Sequence, residues 1–191
     1  MHTLNSLSTT SLCLEEHQIE SKQVFSGNLL DVRCDRVRTP NGQEATREYV
    51  RHQGAAVIVP WLDGGRLLME RQFRYPLRRA FIEFPAGKID RGEDPLQTAQ
   101  RELLEETGYS AQVWRHLGTM HPCIGYSDEK IEIFEARELT AGVQCLDQGE
   151  HLDVFAVGLD EALESVRRGE ITDGKTIVAL LWAERVTTAA W

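Results

Sequence analysis

Between Asp94 and Gly108 the chain carries a start signal, a periodic interior and a stop signal for a single helix. Asp94 can accept from the unpaired N–H groups of a first turn, and Pro95 stands at the first helical position, where a missing N–H costs nothing. Gln97 occupies the place from which a capping box closes. Gly108 supplies the left-handed residue that ends such a helix. Inside these limits Leu96, Ala99, Leu103 and Leu104 fall near helical spacing and give one apolar side. The pattern predicts a helix over 94–107.

Strand signals flank it. Val24–Phe25 precedes a Ser26-Gly27-Asn28 turn, Leu29 to Val37 alternates, and Pro40-Asn41-Gly42 marks a hairpin. Gly54 to Leu62 is a continuous apolar run, as expected of a strand buried on both faces. Asp63-Gly64-Gly65 turns it into Arg66–Phe73, and Ala80 to Pro85 gives another short strand. Beyond the helix, strands are expected near Gln112–Met120, Lys130–Arg137 and Asp153–Val157. A short helix capped by Asp160 runs to Arg168, and a last one runs from about Gly174 to Arg185. Strands and few helices, without regular βαβ alternation, point to an α+β or mixed α/β sandwich.

Composition narrows the function. The 191 residues carry a net charge of −9 with no Lys/Arg-rich block, the wrong sign for a general nucleic-acid binder. No apolar stretch approaches the ~18 residues of a membrane span. Met1 to Leu12 is rich in Ser and Thr, lacks the pattern of a signal peptide, and reads as a poorly ordered start. Cys13, Cys34, Cys123 and Cys145 show no zinc-like spacing, and reduced thiols in the cytoplasm are the expected state.

Glu102, Glu105 and Glu106 stand at i, i+3 and i+4 of the predicted helix, so three carboxylates share one face. Repulsion of ~0.2–0.5 kcal/mol per exposed pair is small enough for a merely solvated face. The surroundings argue for more. A strand ending Phe84-Pro85-Ala86-Gly87 enters a tight loop that returns Glu93 to the helix start, and the segment holds no His or Cys. An oxygen-only set of this kind suits a hard divalent ion such as Mg²⁺ rather than zinc.

Gly87-x5-Glu93-x7-Arg101-Glu102-Leu103-Leu104-Glu105-Glu106-Thr107-Gly108-Tyr109 matches the Nudix box without a departure, and the chain resembles the Nudix hydrolase superfamily. The resemblance implies an α/β (mixed) fold, the Nudix α/β/α sandwich, with the box forming a loop–helix–loop. It also implies hydrolysis of a nucleoside diphosphate linked to another moiety, with Mg²⁺ or Mn²⁺ as cofactor, two or more ions per site. Bound cations would screen the charge that develops on phosphate oxygens during water attack.

Outside the box, residues from about Val24 to Arg185 resemble the ADP-ribose pyrophosphatase branch. The relevant stretches include Glu70-Arg71-Gln72-Phe73-Arg74-Tyr75-Pro76, Glu83-Phe84-Pro85-Ala86-Gly87, Gly125-Tyr126-Ser127-Asp128-Glu129 and Gly169-Glu170-Ile171-Thr172-Asp173-Gly174-Lys175-Thr176. In that branch the N-terminal strands form a homodimer whose partner completes the substrate pocket. The implied organisation is a poorly ordered 1–14, an N-terminal antiparallel β-region over 15–50 used in dimerisation, and a Nudix domain over 51–191. By the same resemblance the Ala86 carbonyl, Glu102, Glu106 and Glu150 hold metal. Arg51 and Arg74 meet phosphates, with a surface ion pair the alternative for either; Glu83 and Glu129 line the site, and Arg101 orients the acids, with a structural salt bridge the alternative.

Two positions depart from the branch. Its usual acid-x-acid pair reads Gln148-Gly149-Glu150 here, and glutamine cannot accept a proton. Glu150 or Glu105 then takes the base role, with Asp147 as a further substitute. Ile124 stands where the branch often has proline ahead of Gly125. The leading expectation is cleavage of ADP-ribose to AMP and ribose 5-phosphate by a cytoplasmic enzyme with a small-molecule nucleotide substrate. The alternatives are another nucleotide sugar such as GDP-mannose, or a non-catalytic nucleotide-binding module. Trp61, Trp114, Trp182 and Trp191 are read as packing residues.

Overall fold

A computed structural model describes residues 14–146 and 148–188 of the chain. The expected poorly ordered start up to residue 13, with Cys13, the substitute base Asp147, and Trp191 lie outside the described residues. The chain forms two compact units: the first runs through His52 and includes Cys123–Asp128, and the second holds Gln53–Pro122 and the remainder from Glu129.

The first unit is an antiparallel meander of β1 (His17–Ser26), β2 (Asp31–Arg38) and β3 (Glu44–Arg51). The predicted Pro40-Asn41-Gly42 turn joins β2 to β3, where Thr39 N donates to the Gln43 carbonyl at 2.9 Å. Segment 123–128 is tied to the sheet, since Val50 N donates to the Tyr126 carbonyl at 2.8 Å and His52 N to Asp128 Oδ1 at 2.7 Å. β1 is longer than its sequence signal, because its polar residues before Val24 pair with β2 across a register shift between Gln18 and Glu20 and need no apolar pattern to do so. Every β1 residue is exposed.

The second unit carries the main sheet. Its elements are β4 (Ala55–Leu62), β5 (Arg66–Arg74), β6 (Arg79–Glu83), β7 (Ala86–Lys88), α1 (Pro95–Thr107), β8 (Tyr109–Met120), β9 (Ile131–Ala141), β10 (Leu152–Gly158), α2 (Leu159–Arg167) and α3 (Gly174–Thr188). Strand order is β10-β5-β4-β9-β8, with β6 on β5 and β7 on β4. β4 and β9 run parallel and the other pairs are antiparallel. The apolar run of β4 is buried on both faces, as predicted. Val57, Val59 and Trp61 pack with Leu180 and Ala183 of α3 and Ala162 of α2, while Ala56 and Ile58 pack with Ala99 and Leu103 of α1. Helices therefore cover both faces of the sheet, which makes an α/β/α sandwich.

α1 starts and stops where its sequence signals say. Asp94 Oδ1 accepts from Leu96 N at 2.9 Å, Gln97 closes the capping box, and Gly108 takes φ 74° while its N–H donates to the Leu104 carbonyl. One expected cap differs. Gly158 rather than Asp160 precedes α2, and Asp160 lies in the first turn, where its charge still meets the positive end of the helix. Trp61 is buried, and the Trp114 indole N–H donates to the Ala111 carbonyl at 3.1 Å, as packing residues should.

Candidate active site

The backbone builds the site first. β6 ends at Glu83, Phe84 is fully buried, and the Pro85 carbonyl accepts from Ile58 N at 2.9 Å. β7 then pairs with β4, Val57 opposite Ala86 and Ala56 opposite Gly87. Ala99 and Leu103 press α1 onto β4 through Ala56 and Ile58, which sets the acidic face of the helix beside β7. Ala86 N donates to Glu106 Oε2 at 2.9 Å. The Glu102 carboxylate lies against Gly87 so closely that an added Cβ would stand 1.8 Å from Glu102 Oε1. Only glycine fits there without displacing that carboxylate.

A second strand contributes an acid that the helix pattern does not reveal. Glu70, in the interior of β5, is 1% exposed, and its Oε2 has no hydrogen-bond partner among the described residues. Burial, reinforced by the charge of Glu83, pushes its carboxyl up to about 8. Glu106 is 3% exposed; burial, then the charges of Glu70 and Glu102, pushes it up to about 10. Burial also raises Glu102, against the opposing pull of Arg101. Glu150 adds its charge to all three, and its Oε1 accepts from Gln72 Nε2 at 3.0 Å. The structure thus brings Glu70, Glu102, Glu106 and Glu150 into one electrostatic neighbourhood. Carboxylates crowded together and partly withdrawn from water are short of positive charge.

A divalent cation would supply it. An unpartnered buried carboxylate oxygen and acceptor-only neighbours are the donor set of a hard ion, so the residues fit the group that the resemblance implies. Among the described residues no three carboxylates or imidazoles are gathered tightly enough to cage an ion alone. Magnesium sites commonly draw the rest of their shell from water and substrate phosphate.

Cations surround the acids in two networks. Arg101 donates to Glu93 Oε1 at 3.1 Å and Oε2 at 3.0 Å, to Glu102 Oε1 at 2.7 Å and to Glu105 Oε2 at 2.9 Å. Hydrogen bonds from Arg101 and then Thr98 bring Glu93 down to about 2. Arg101 is thereby occupied in holding the loop acid and two helix acids in place. Arg74 makes a fork to Glu83, Nε to Oε1 at 2.7 Å and Nη2 to Oε2 at 2.8 Å, and Lys175 also donates to Glu83 Oε2. Glu83 therefore sits at the site as the seat of two cations. Arg51 belongs to the first unit, at the end of β3 opposite Asp31, and Glu129 is a partly buried residue leading into β9.

Sequence reasoning passed over Glu70, Gln72 and Lys175 as functional groups. For Glu70 there was a signal: a carboxylate directly after Leu67-Leu68-Met69 in the predicted Arg66–Phe73 strand. Lys175 gave none, because its importance comes from a partner 92 residues away.

A carboxylate-lined centre of this kind on an α/β/α sandwich defines a class, and comparison with known proteins identifies it. The chain belongs to the Nudix family, since the NUDIX domain model matches residues 50–180. A second model, the nucleoside diphosphate sugar hydrolase N-terminal domain, matches residues 16–50. The chain is 39% identical over 173 residues to an ADP-ribose pyrophosphatase of Bacillus subtilis, covering 90% of this chain and 94% of that protein. It is 38% identical over 172 residues to a methanol dehydrogenase activator of Bacillus methanolicus, covering 89% and 93%. A crystal structure of an ADP compounds hydrolase superposes with a TM-score of 0.82 at 23% identity, over 90% of this chain and 94% of that one, a likeness of fold.

Proposed function

We propose that the protein hydrolyses the diphosphate linkage of nucleoside diphosphate sugars, with ADP-ribose the first substrate to test. The observation that carries this is the row of acids, buried Glu70 and Glu106 with the half-buried Glu102, whose raised carboxyls call for cations at a glycine-lined edge beside Arg74. The N-terminal domain match and the pyrophosphatase relative support the nucleotide-sugar class.

Glu102, Glu106 and the Ala86 carbonyl would hold Mg²⁺ or Mn²⁺, with Glu70 and Glu150 within the same field. An ion held there would supply charge stabilisation on phosphate oxygens and a more acidic water. Arg101 fixes the orientation of Glu93, Glu102 and Glu105. Arg74 is the phosphate-binding cation of the second unit, and Glu83 and Glu129 position the pocket. We assign proton acceptance to Glu150. Its charge acts on Glu70, Glu102 and Glu106 alike, and among the described residues its one side-chain partner is the neutral amide of Gln72. Glu105 instead is engaged with the Arg101 guanidinium. Water attack at phosphorus would break one P–O bond of the anhydride, and for ADP-ribose the products are AMP and ribose 5-phosphate.

A homodimer through the first unit is part of the reading. Val24 and Phe25 of β1 are 51% and 54% exposed, Leu29 and Leu30 in the turn to β2 are 63% and 44% exposed, and among the described residues β1 pairs only with β2. A substrate panel with and without Mg²⁺, with a phosphatase releasing phosphate from the products, tests the activity. Magnesium-dependent turnover of ADP-ribose is expected. If no panel member turns over while one raises the melting temperature, the chain is a nucleotide-binding module instead.

A further inference from the structure

Glu83 has more cation than it needs. Its side chain is 2% exposed, and the two-pronged contact with Arg74 already satisfies both oxygens. Lys175 nevertheless donates to the same Oε2, and it also donates to Asp173 Oδ2 at 2.9 Å. The four groups Asp173, Lys175, Glu83 and Arg74 form one chain of alternating charge with a net sum of zero.

Lys175 is not what anchors α3. Asp173 Oδ2 accepts from Thr176 N at 3.0 Å and from Thr176 Oγ1 at 2.7 Å, and that hydroxyl accepts from Phe84 N at 3.2 Å. These bonds lock the first turn of α3 to the β6–β7 junction without any lysine. The extra cation must be explained at Glu83 itself.

The explanation lies with Arg74. Its side chain is 41% exposed, and Nη1 makes no hydrogen bond among the described residues. Glu70 and Glu106 both act on its charge, so it stands beside the acid row. To serve a diphosphate with its full fork, the guanidinium must leave Glu83. With Arg74 as sole partner, that movement would strand a buried carboxylate, which proteins tolerate badly. With Lys175 in place, Glu83 stays paired throughout.

We propose that Lys175 is a positioning residue for substrate binding: by keeping Glu83 paired, it lets Arg74 turn its guanidinium from Glu83 to the substrate diphosphate. The inference rests on the assignment of Arg74 to phosphate given above. Removing Lys175 makes Arg74 a captive of Glu83, and removing the charge of Glu83 releases it again.

The experiment measures kcat and KM separately for ADP-ribose at saturating Mg²⁺, with melting temperature alongside, on the full chain. Lys175→Met is expected to raise KM about tenfold and leave kcat within about twofold, because a ground-state phosphate contact is weakened. Lys175→Arg restores KM. Adding Glu83→Gln to Lys175→Met returns KM to that of Glu83→Gln alone, a relief that a purely structural role of Lys175 would not give. Should the single Met variant fail to fold, the charge-balanced double variant decides by the same equality. An unchanged KM in Lys175→Met, a loss confined to kcat, or a raised KM that Glu83→Gln does not relieve overturns the proposal. Arg74→Gln separates the two layers. If it leaves KM unchanged, the phosphate assignment of Arg74 fails and this inference with it; if it raises KM while Lys175→Met does not, this inference alone fails.

Discussion

Replacing Glu106 by glutamine should make the metal-free protein more stable and the enzyme inactive, and both effects follow from one carboxyl. Glu106 is 3% exposed and held up to about 10 by burial and by the charges of Glu70 and Glu102. Its folded value lies above the ordinary 4.5, so the folded state binds the proton more tightly than the unfolded state. The stabilisation linked to that proton is complete below about pH 4.5 and is lost as pH rises toward about 10. At pH 7 the loss amounts to the interval from 4.5 to 7, which at 1.4 kcal/mol per unit is roughly 3 kcal/mol. Glutamine keeps an oxygen to accept from Ala86 N and has no proton to lose, so this penalty disappears. In EDTA, the variant should melt several degrees above the wild type at pH 8 and close to it at pH 5, with a shallower pH slope. Magnesium should raise the wild-type melting temperature most at high pH, and the variant's little. Turnover should fall by about three orders of magnitude or more, as expected when a carboxylate near the metal is neutralised. Differential scanning fluorimetry across pH, with and without Mg²⁺, makes the measurement. A variant that melts below the wild type in EDTA at pH 8 and keeps the full magnesium shift would refute the reasoning.

Gly87→Ala places a Cβ 1.8 Å from Glu102 Oε1, so the carboxylate must move; activity should drop about a hundredfold, and titration of Mg²⁺ by melting temperature should show weaker binding. Asp94→Ala removes the capping box of α1 and should cost about 1 kcal/mol in urea unfolding, with activity per folded molecule unchanged. If the exposed apolar residues of β1 form the interface between copies, Val24→Lys with Phe25→Lys should shift sedimentation from dimer to monomer; a monomeric wild type would remove the dimer from the proposal.

Much of this protein is local, and local signals survive in the sequence. The Asp94 cap, Pro95, Gln97 and Gly108 set α1 through contacts no more than four residues apart. The unbroken apolar run of β4 announced a strand buried on both faces, and the i, i+3, i+4 acids announced a charged helix face. Tertiary structure decided what those acids meet. Glu70 joins Glu106 only because β5 and α1 both lie along β4, and a carboxyl's environment depends on what excludes water from it. The same holds for Lys175, carried to Glu83 by the docking of α3 on β6. A single chain spells out its helix ends and strand faces because they depend on near neighbours. Which buried charge is shared, and by whom, is settled by segments distant in sequence that the folded core presses together.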